Sequence, residues 1–349
     1  MALRSKTFKE SYEEDIALFH TIWVRSWWAI FIILLLTFPM WGDPYLVYLS
    51  TLTFIYIVAG MGLNILTGVA GQISLSQGAF VGVGAYTTAI LSNRFNLPFP
   101  VTIPLAGIMA AASSVLIGVI SLRIKGLYLA MATLAFGQFL QYVFVHWESF
   151  TKGVFGMPVP EMALGGFAFD TSERMYYPFL IITVLLLLAA KNFLRTRTGR
   201  AFVSVRDRDI AAECMGVNLV KYKIIAFTLS AFYAGIAGGF YAYMITHVNP
   251  YYFSFLLSVE YLLVIIVGGL GTVLGCALGG IFVSVLPECI KMSFDMLTVV
   301  FPAVGGVYNE EWNILFFGLM IIFFLLFEPG GLAAIYLRIK TSLKNWPFT

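Results

Sequence analysis

Few side chains in this sequence could carry covalent chemistry, and they stand apart. The histidines His20, His146 and His247 are scattered, and no HExxH pair puts two of them on one helix face to hold zinc. Cys214, Cys276 and Cys289 show no CxxC spacing, which argues against a zinc site or a disulfide framework. No GxSxG turn presents a nucleophilic serine, and the dipeptide Gly-Lys is absent, so no Walker loop cradles a nucleotide phosphate. These absences lead to the expectation of no catalytic residue, no bound metal and no cofactor. The chain reads as something other than an enzyme.

The remaining polar groups cluster where apolar segments break. Residues 64–84 read NILTGVAGQISLSQGAFVGVG, with Asn64, Gln72, Ser74, Ser76 and Gln77 set among Gly68, Gly71, Gly78 and Gly82. Irregular backbone survives at membrane depth only where protein buries it or where it lines a wet cavity, and polar side chains can satisfy the backbone groups it frees. Those five side chains are therefore candidates for a substrate path. Residues 268–280 read GGLGTVLGCALGG, where Gly271, Gly275 and Gly279 recur every fourth position and are expected to give a smooth helix face for close packing, with Gly78 and Gly82 in the same role. Interrupted segments in the two halves of a chain point to a transport path. Glu260 is an ionisable residue inside an apolar run, either on that path or bonding backbone amides at a broken helix. Glu288 precedes Lys291 by one helical turn and can pair with it.

The elements that must position these groups follow from composition. The chain has 349 residues, 60% hydrophobic and only 11% charged, with a mean hydropathy of +0.89. That is too little charge to coat a water-facing surface, given roughly 25% in soluble domains. Apolar runs at 27–40, 45–66, 78–92, 100–121, 127–146, 176–194, 223–245, 255–275, 277–297 and 312–327 predict an all-α polytopic membrane protein. It would have about ten transmembrane helices with Gly-rich discontinuous segments. Basic residues gather in the first 26 residues, between Lys191 and Lys223, and after Arg338, and an even number of crossings puts all three on the cytoplasmic side. Residues 1–26 space Phe8, Tyr12, Phe19 and Trp23 as an interfacial amphipathic helix would, residues 27–337 form the membrane domain, and 338–349 form a cytoplasmic tail. The 147–175 loop, with Glu148, Glu161, Asp170 and Glu173, falls outside. The stretch 195–223 is too polar to span, yet Phe202, Val205, Ile210, Met215 and Val217 alternate with charges as in short helices that dock on a partner.

The run GLNILTGVAGQISLSQGAFVGVGAY (62–86) resembles the signature of LivM/LivH-type permeases for high-affinity branched-chain amino acid uptake. The segment at 196–239 resembles their cytoplasmic coupling loop, and SVEYLLVIIVGGLGTVLGCALGG (258–280) resembles a third shared block. The likeness covers most of residues 50–330, and the length, with TKGVFGMPVP at 151–160, favours the LivM side. It implies one permease of an ATP-binding-cassette importer for leucine, isoleucine and valine in the bacterial inner membrane, with both termini cytoplasmic. The implied partners are a homologous LivH-type permease, two cytoplasmic ATPases that bind the ATP, a periplasmic amino-acid-binding protein and membrane lipid, with no nucleic acid. Arg200, Arg206, Asp207, Asp209, Ala211, Ala212 and Gly216 fall where the family couples to its ATPases. Ile210 stands where the family commonly has glutamate, with Asp209 beside it, and Lys152 occupies a position usually held by glycine. Permeases of this type also resemble those for urea, short amides and small organic acids. A stand-alone ion-coupled carrier, using Glu260, is the alternative from another class.

Overall fold

The structure, a computed structural model, describes residue 32 and residues 34–122, 124–164, 167–300 and 311–345. The expected interfacial helix of residues 1–26 lies outside the described residues, as does Arg123. The chain divides into two units, residues 1–47 and 48–349. In the first, residues 34–41 are helical.

Helix α1 (Pro44–Leu63) runs on as a π-helical segment, Asn64–Val69. There follow α2 (Gln77–Phe95), α3 (Phe99–Ile120), α4 (Leu127–His146), α5 (Ser172–Arg195), α6 (Arg197–Asp207), α7 (Asp209–Cys214), α8 (Leu219–Ile245), α9 (Phe255–Gly268), α10 (Val273–Val300), α11 (Glu311–Phe327) and α12 (Gly331–Asn345). Among the described residues, six helices are long and apolar enough to cross a bilayer, and α11 with α12, bent by 46°, makes a seventh if the pair counts as one crossing. The protein is an all-α, multi-pass membrane protein.

The shortfall from about ten spans has physical causes. The expected span 27–40 is described only at residue 32 and from residue 34 on, too short a piece to count as a crossing. Helix α2 mixes glycine and polar side chains with apolar ones and so does not count as a lipid-facing span, and neighbouring helices bury most of it. The expected span 255–275 is cut: α9 ends at Gly268, Gly269 and Gly271 take φ of 118° and 79°, and a new helix starts at Val273. Gly271 therefore belongs to a turn and not to the smooth helix face expected of it, because its positive φ cannot continue a right-handed helix.

The centre is built from small residues, which let helix backbones touch where apolar burial against lipid gives no drive. A Cβ on Gly84 would strike the backbone of Gly235, and one on Gly238 the carbonyl of Val81, so α2 and α8 are in backbone contact. Gly268 and Gly279 close α9 against α10 in the same way. The outer helices α4 and α5 are mostly exposed, as lipid-facing elements are.

The loops sort to two ends. At one, Asn93 bonds the Pro158 carbonyl at 2.6 Å, Arg94 bonds that of Ser149 at 2.6 Å, and Met157–Pro158 pairs with His247–Val248. Lys152 there holds φ of 60°, the left-handed conformation that favours glycine. At the other end, Lys125 forms an ion pair with Asp209, joining the α3–α4 turn to α7.

Candidate functional site

The glycine-rich stretch after α1 is a hub that ties together most of the helices around it. Asn64 is fully buried where α1 widens into its π turn. Its Oδ1 accepts from the Gly271 amide at 2.7 Å, and its Nδ2 donates to the Thr272 carbonyl at 3.0 Å. One side chain thereby satisfies the Gly271 amide, which the break between α9 and α10 frees, and adds a second bond to the Thr272 carbonyl, which also accepts from the Cys276 amide at 3.3 Å. Gly68 packs against Gly271 so closely that a Cβ would strike its amide. Thr272 also caps α10, its hydroxyl accepting from the Gly275 amide at 3.1 Å.

Further along, the Thr67 hydroxyl donates to the Gln72 carbonyl at 3.1 Å, and Gln72 Nε2 donates to Ala70 at 3.2 Å. Ser74 and Ser76 are buried and share a hydrogen bond of 3.0 Å. The Leu75 amide donates to Thr133 Oγ1 at 3.0 Å. Thr133 lies six residues into α4, about 9 Å along the helix axis, so this irregular backbone penetrates the bundle. Gln77 donates to the Ala59 carbonyl of α1 at 2.9 Å and accepts from Ser230 of α8 at 3.2 Å. The Gly78 amide donates to Ser258 of α9 at 2.9 Å. A Cβ on Gly78 or Gly82 would press on Ser258 or on Phe144 and Phe253, so both glycines sit at close contacts.

Glu260 stands apart from that hub. It lies two residues beyond Ser258, on another face of α9, and its Oε2 accepts from the Tyr56 hydroxyl at 2.7 Å. Sequence reasoning missed Tyr56, Thr133, Ser230 and Ser258, because isolated hydroxyls in apolar helices carry no spacing signal. It also missed Gln138 and Gln141. They share a helix face with Leu134 and Gly137, line a cleft with Ser254 and Ser258, and make no hydrogen bond among the described residues.

The polar segment 195–223 folds as the two short helices α6 and α7, held by three local devices. Thr196 caps α6, accepting from the Gly199 amide at 3.3 Å, and Asn218 caps α8, accepting from that of Lys221 at 3.0 Å. Gly216 ends α7 with φ of 85°, while the Val217 amide returns to the Ala212 carbonyl at 3.0 Å. Ala212 and Phe202 face inward; Arg200, Asp207, Ala211, Ile210 and Met215 face out, the last two 72% and 86% exposed. The Lys125 ammonium, bonded to Asp209, holds that carboxyl below the usual range, so it is ionised throughout neutral and mildly acid conditions.

Arg206 connects this segment to the hub. Its Nη1 donates to the Gly68 carbonyl at 3.0 Å, its stem covers Gly71, whose φ is 68°, and it pairs with Asp207 at 3.0 Å. Gly68, Gly271, Asn64 and Arg206 therefore form one junction where the polar segment and both helix breaks meet. Among the described residues no three His, Cys, Asp or Glu side chains gather as a metal site would require.

Residues 45–325 match the family model described as the permease component of branched-chain amino acid transport systems. The chain belongs to this family. It is 30% identical over 338 residues to the LivM high-affinity branched-chain amino acid permease of Escherichia coli K12, covering 90% of this chain and 76% of that protein. It is 23% identical to the LivH permease of Salmonella typhimurium, covering 80% and 92%. It is 26% identical to LsrC of Enterobacter sp. 638, named as an autoinducer 2 import permease, covering 86% and 82%. No solved structure matches the chain. The relatives are transport permeases, and this permease is likewise a transporter subunit and not an enzyme.

Proposed function

We propose that this permease is one half of the pore of an ATP-driven importer for leucine, isoleucine and valine in a bacterial inner membrane. A homologous LivH-type permease supplies the other half, a periplasmic binding protein delivers the amino acid, and a pair of cytoplasmic ATPases bind the ATP, so the chain needs no cofactor. The relatives' names support the cargo, and the basic clusters support cytoplasmic termini.

The observation that carries the mechanism is the Arg206 hydrogen bond to Gly68. The exposed apolar side chains Ile210 and Met215 offer the ATPases a docking helix, and Arg200, Asp207 and Ala211 border it. Asp209, held by Lys125, positions that helix. A movement of α6 and α7 driven by ATP reaches the α1 π segment through Arg206, and then the start of α10 through Asn64. Broken helices can rock where continuous ones cannot. The path runs beside the 72–77 loop and the Gln138 and Gln141 cleft, with Glu260 bordering it.

The test is purification of the tagged chain from its host in mild detergent, followed by reconstitution with whatever co-purifies. The expected result is a second permease and ATPase chains in fixed ratio, and leucine uptake into vesicles that needs ATP and the binding protein. A folded chain that purifies alone and moves cargo along an ion gradient would replace this reading with the ion-coupled carrier. The next residue to change would then be Glu260.

A further inference from the structure

A cleft of about 250 Å3 opens beside the junction, between the α3–α4 turn, the 71–72 backbone, α6, α7 and the start of α8. Lys125, Arg206, Arg208 and Lys223 line it, with Asp207 and Asp209 as the only acids among its lining residues. The pairing of these charges is uneven. Arg206 is taken by Asp207 and by the Gly68 carbonyl, and Lys125 is taken by Asp209. Arg208 and Lys223 are left without an ion pair or hydrogen bond from their side chains among the described residues. The Lys223 residue is only 4% exposed. Protein encloses its stem while the ammonium opens on the cleft, where Asp209, the acid that acts on it, already holds Lys125; a cation partly withdrawn from water is favoured by an anion beside it.

We infer that this cleft is an anion site that takes a phosphate group, with Lys223 and Arg208 as its cations. Two uncompensated positive charges suit a phosphate, and arginine offers it the planar fork of donors that lysine lacks. Its position suits the headgroup of an anionic phospholipid. Lys125 precedes α4 by two residues and Lys223 lies in the second turn of α8, so both stand at the rim of membrane-crossing helices, where headgroups lie. Free phosphate presents the same chemistry. The inference requires only that these helices cross a bilayer, so it stands apart from the identity of the cargo.

The consequence for the molecule is local. An anion held there would join α8 to the α6–α7 link at Arg208, beside the Arg206 contact, and would fix the coupling segment against the bundle.

The experiment uses the full chain purified in mild detergent with whatever co-purifies, as wild type and as Lys223→Met with Arg208→Gln. Methionine keeps an apolar stem in place of that of Lys223 and removes its charge, and elution as a single species at the wild-type volume checks that the fold is retained. One arm measures radioactive orthophosphate by equilibrium dialysis after delipidation. The other measures retention of phosphatidylglycerol against phosphatidylcholine from mixed micelles by native mass spectrometry. The expected result is binding by wild type in at least one arm, weakened about tenfold or more in the double variant, as loss of charge-assisted hydrogen bonds requires. Binding in the lipid arm alone identifies a headgroup site, and binding in the phosphate arm identifies a free anion. Equal binding by wild type and variant in both arms, or binding in neither, overturns the inference.

Discussion

The two glycine-rich breaks, 64–78 and 268–280, have similar composition but are held in different ways. In the first, hydrogen bonds from side chains hold irregular backbone in place: Asn64, Thr133, Gln77, Ser230 and Ser258 each reach another element. In the second, close backbone packing is the main restraint, with Gly268 and Gly279 closing α9 on α10 and Thr272 capping the restart. The first break should therefore be sensitive to loss of a polar head, and the second to gain of volume. The breaks meet where Asn64 of the first bonds the backbone of the second and Gly68 packs on Gly271.

The largest effect is expected at Asn64. Asn64→Leu keeps the branched shape but strands the Gly271 amide and removes one of two hydrogen bonds to the Thr272 carbonyl, which keeps that of the Cys276 amide at 3.3 Å, at a cost of about 3 to 4 kcal/mol. Thermal unfolding monitored by size exclusion should shift sharply downward, and wild-type stability in this variant would mean that water replaces the amide. In the second break, Gly279→Leu forces apart α9 and α10 and should cost about 3 kcal/mol by overpacking. Gly279→Ala and Gly279→Leu measured together should show loss that grows with side-chain size. Equal loss for both would point to backbone freedom instead, although the φ of Gly279 is helical. A smaller effect is expected outside the breaks, at Gly216. Nothing lies within 4 Å of a Cβ there, so Gly216→Ala pays only for its φ of 85°, about 1 kcal/mol. Insertion should be intact while vesicle uptake falls severalfold, because the end of α7 is misdirected. Full uptake would separate α7 from coupling.

The difference between the breaks also explains what was legible in the sequence. Period and composition located nearly every helix, and the polar–glycine mixture at 64–78 marked a segment of irregular backbone. Spacing alone could not separate a helix face from a turn at Gly271, because a four-residue repeat looks the same whether its first member is helical or has positive φ. Nor could it foresee that Asn64 bonds a segment more than two hundred residues away, or that Arg206, expected to face the ATPases, turns its guanidinium inward to Gly68. Long-range hydrogen bonds depend on packing, which periodicity does not encode. Lys152 is the converse case: the departure from the family's glycine was visible, and this lysine takes the left-handed conformation that favours glycine.

The central claim is that Arg206 carries motion from the docking helices to the broken spans. The most direct test replaces it with methionine, which keeps the stem over Gly71 and removes the hydrogen bond, and compares ATP hydrolysis with leucine uptake in vesicles of the assembled transporter. The expected result is hydrolysis that continues while uptake falls about tenfold or more, the loss of one charge-assisted bond. Uptake that stays coupled to hydrolysis at the wild-type ratio would contradict the account.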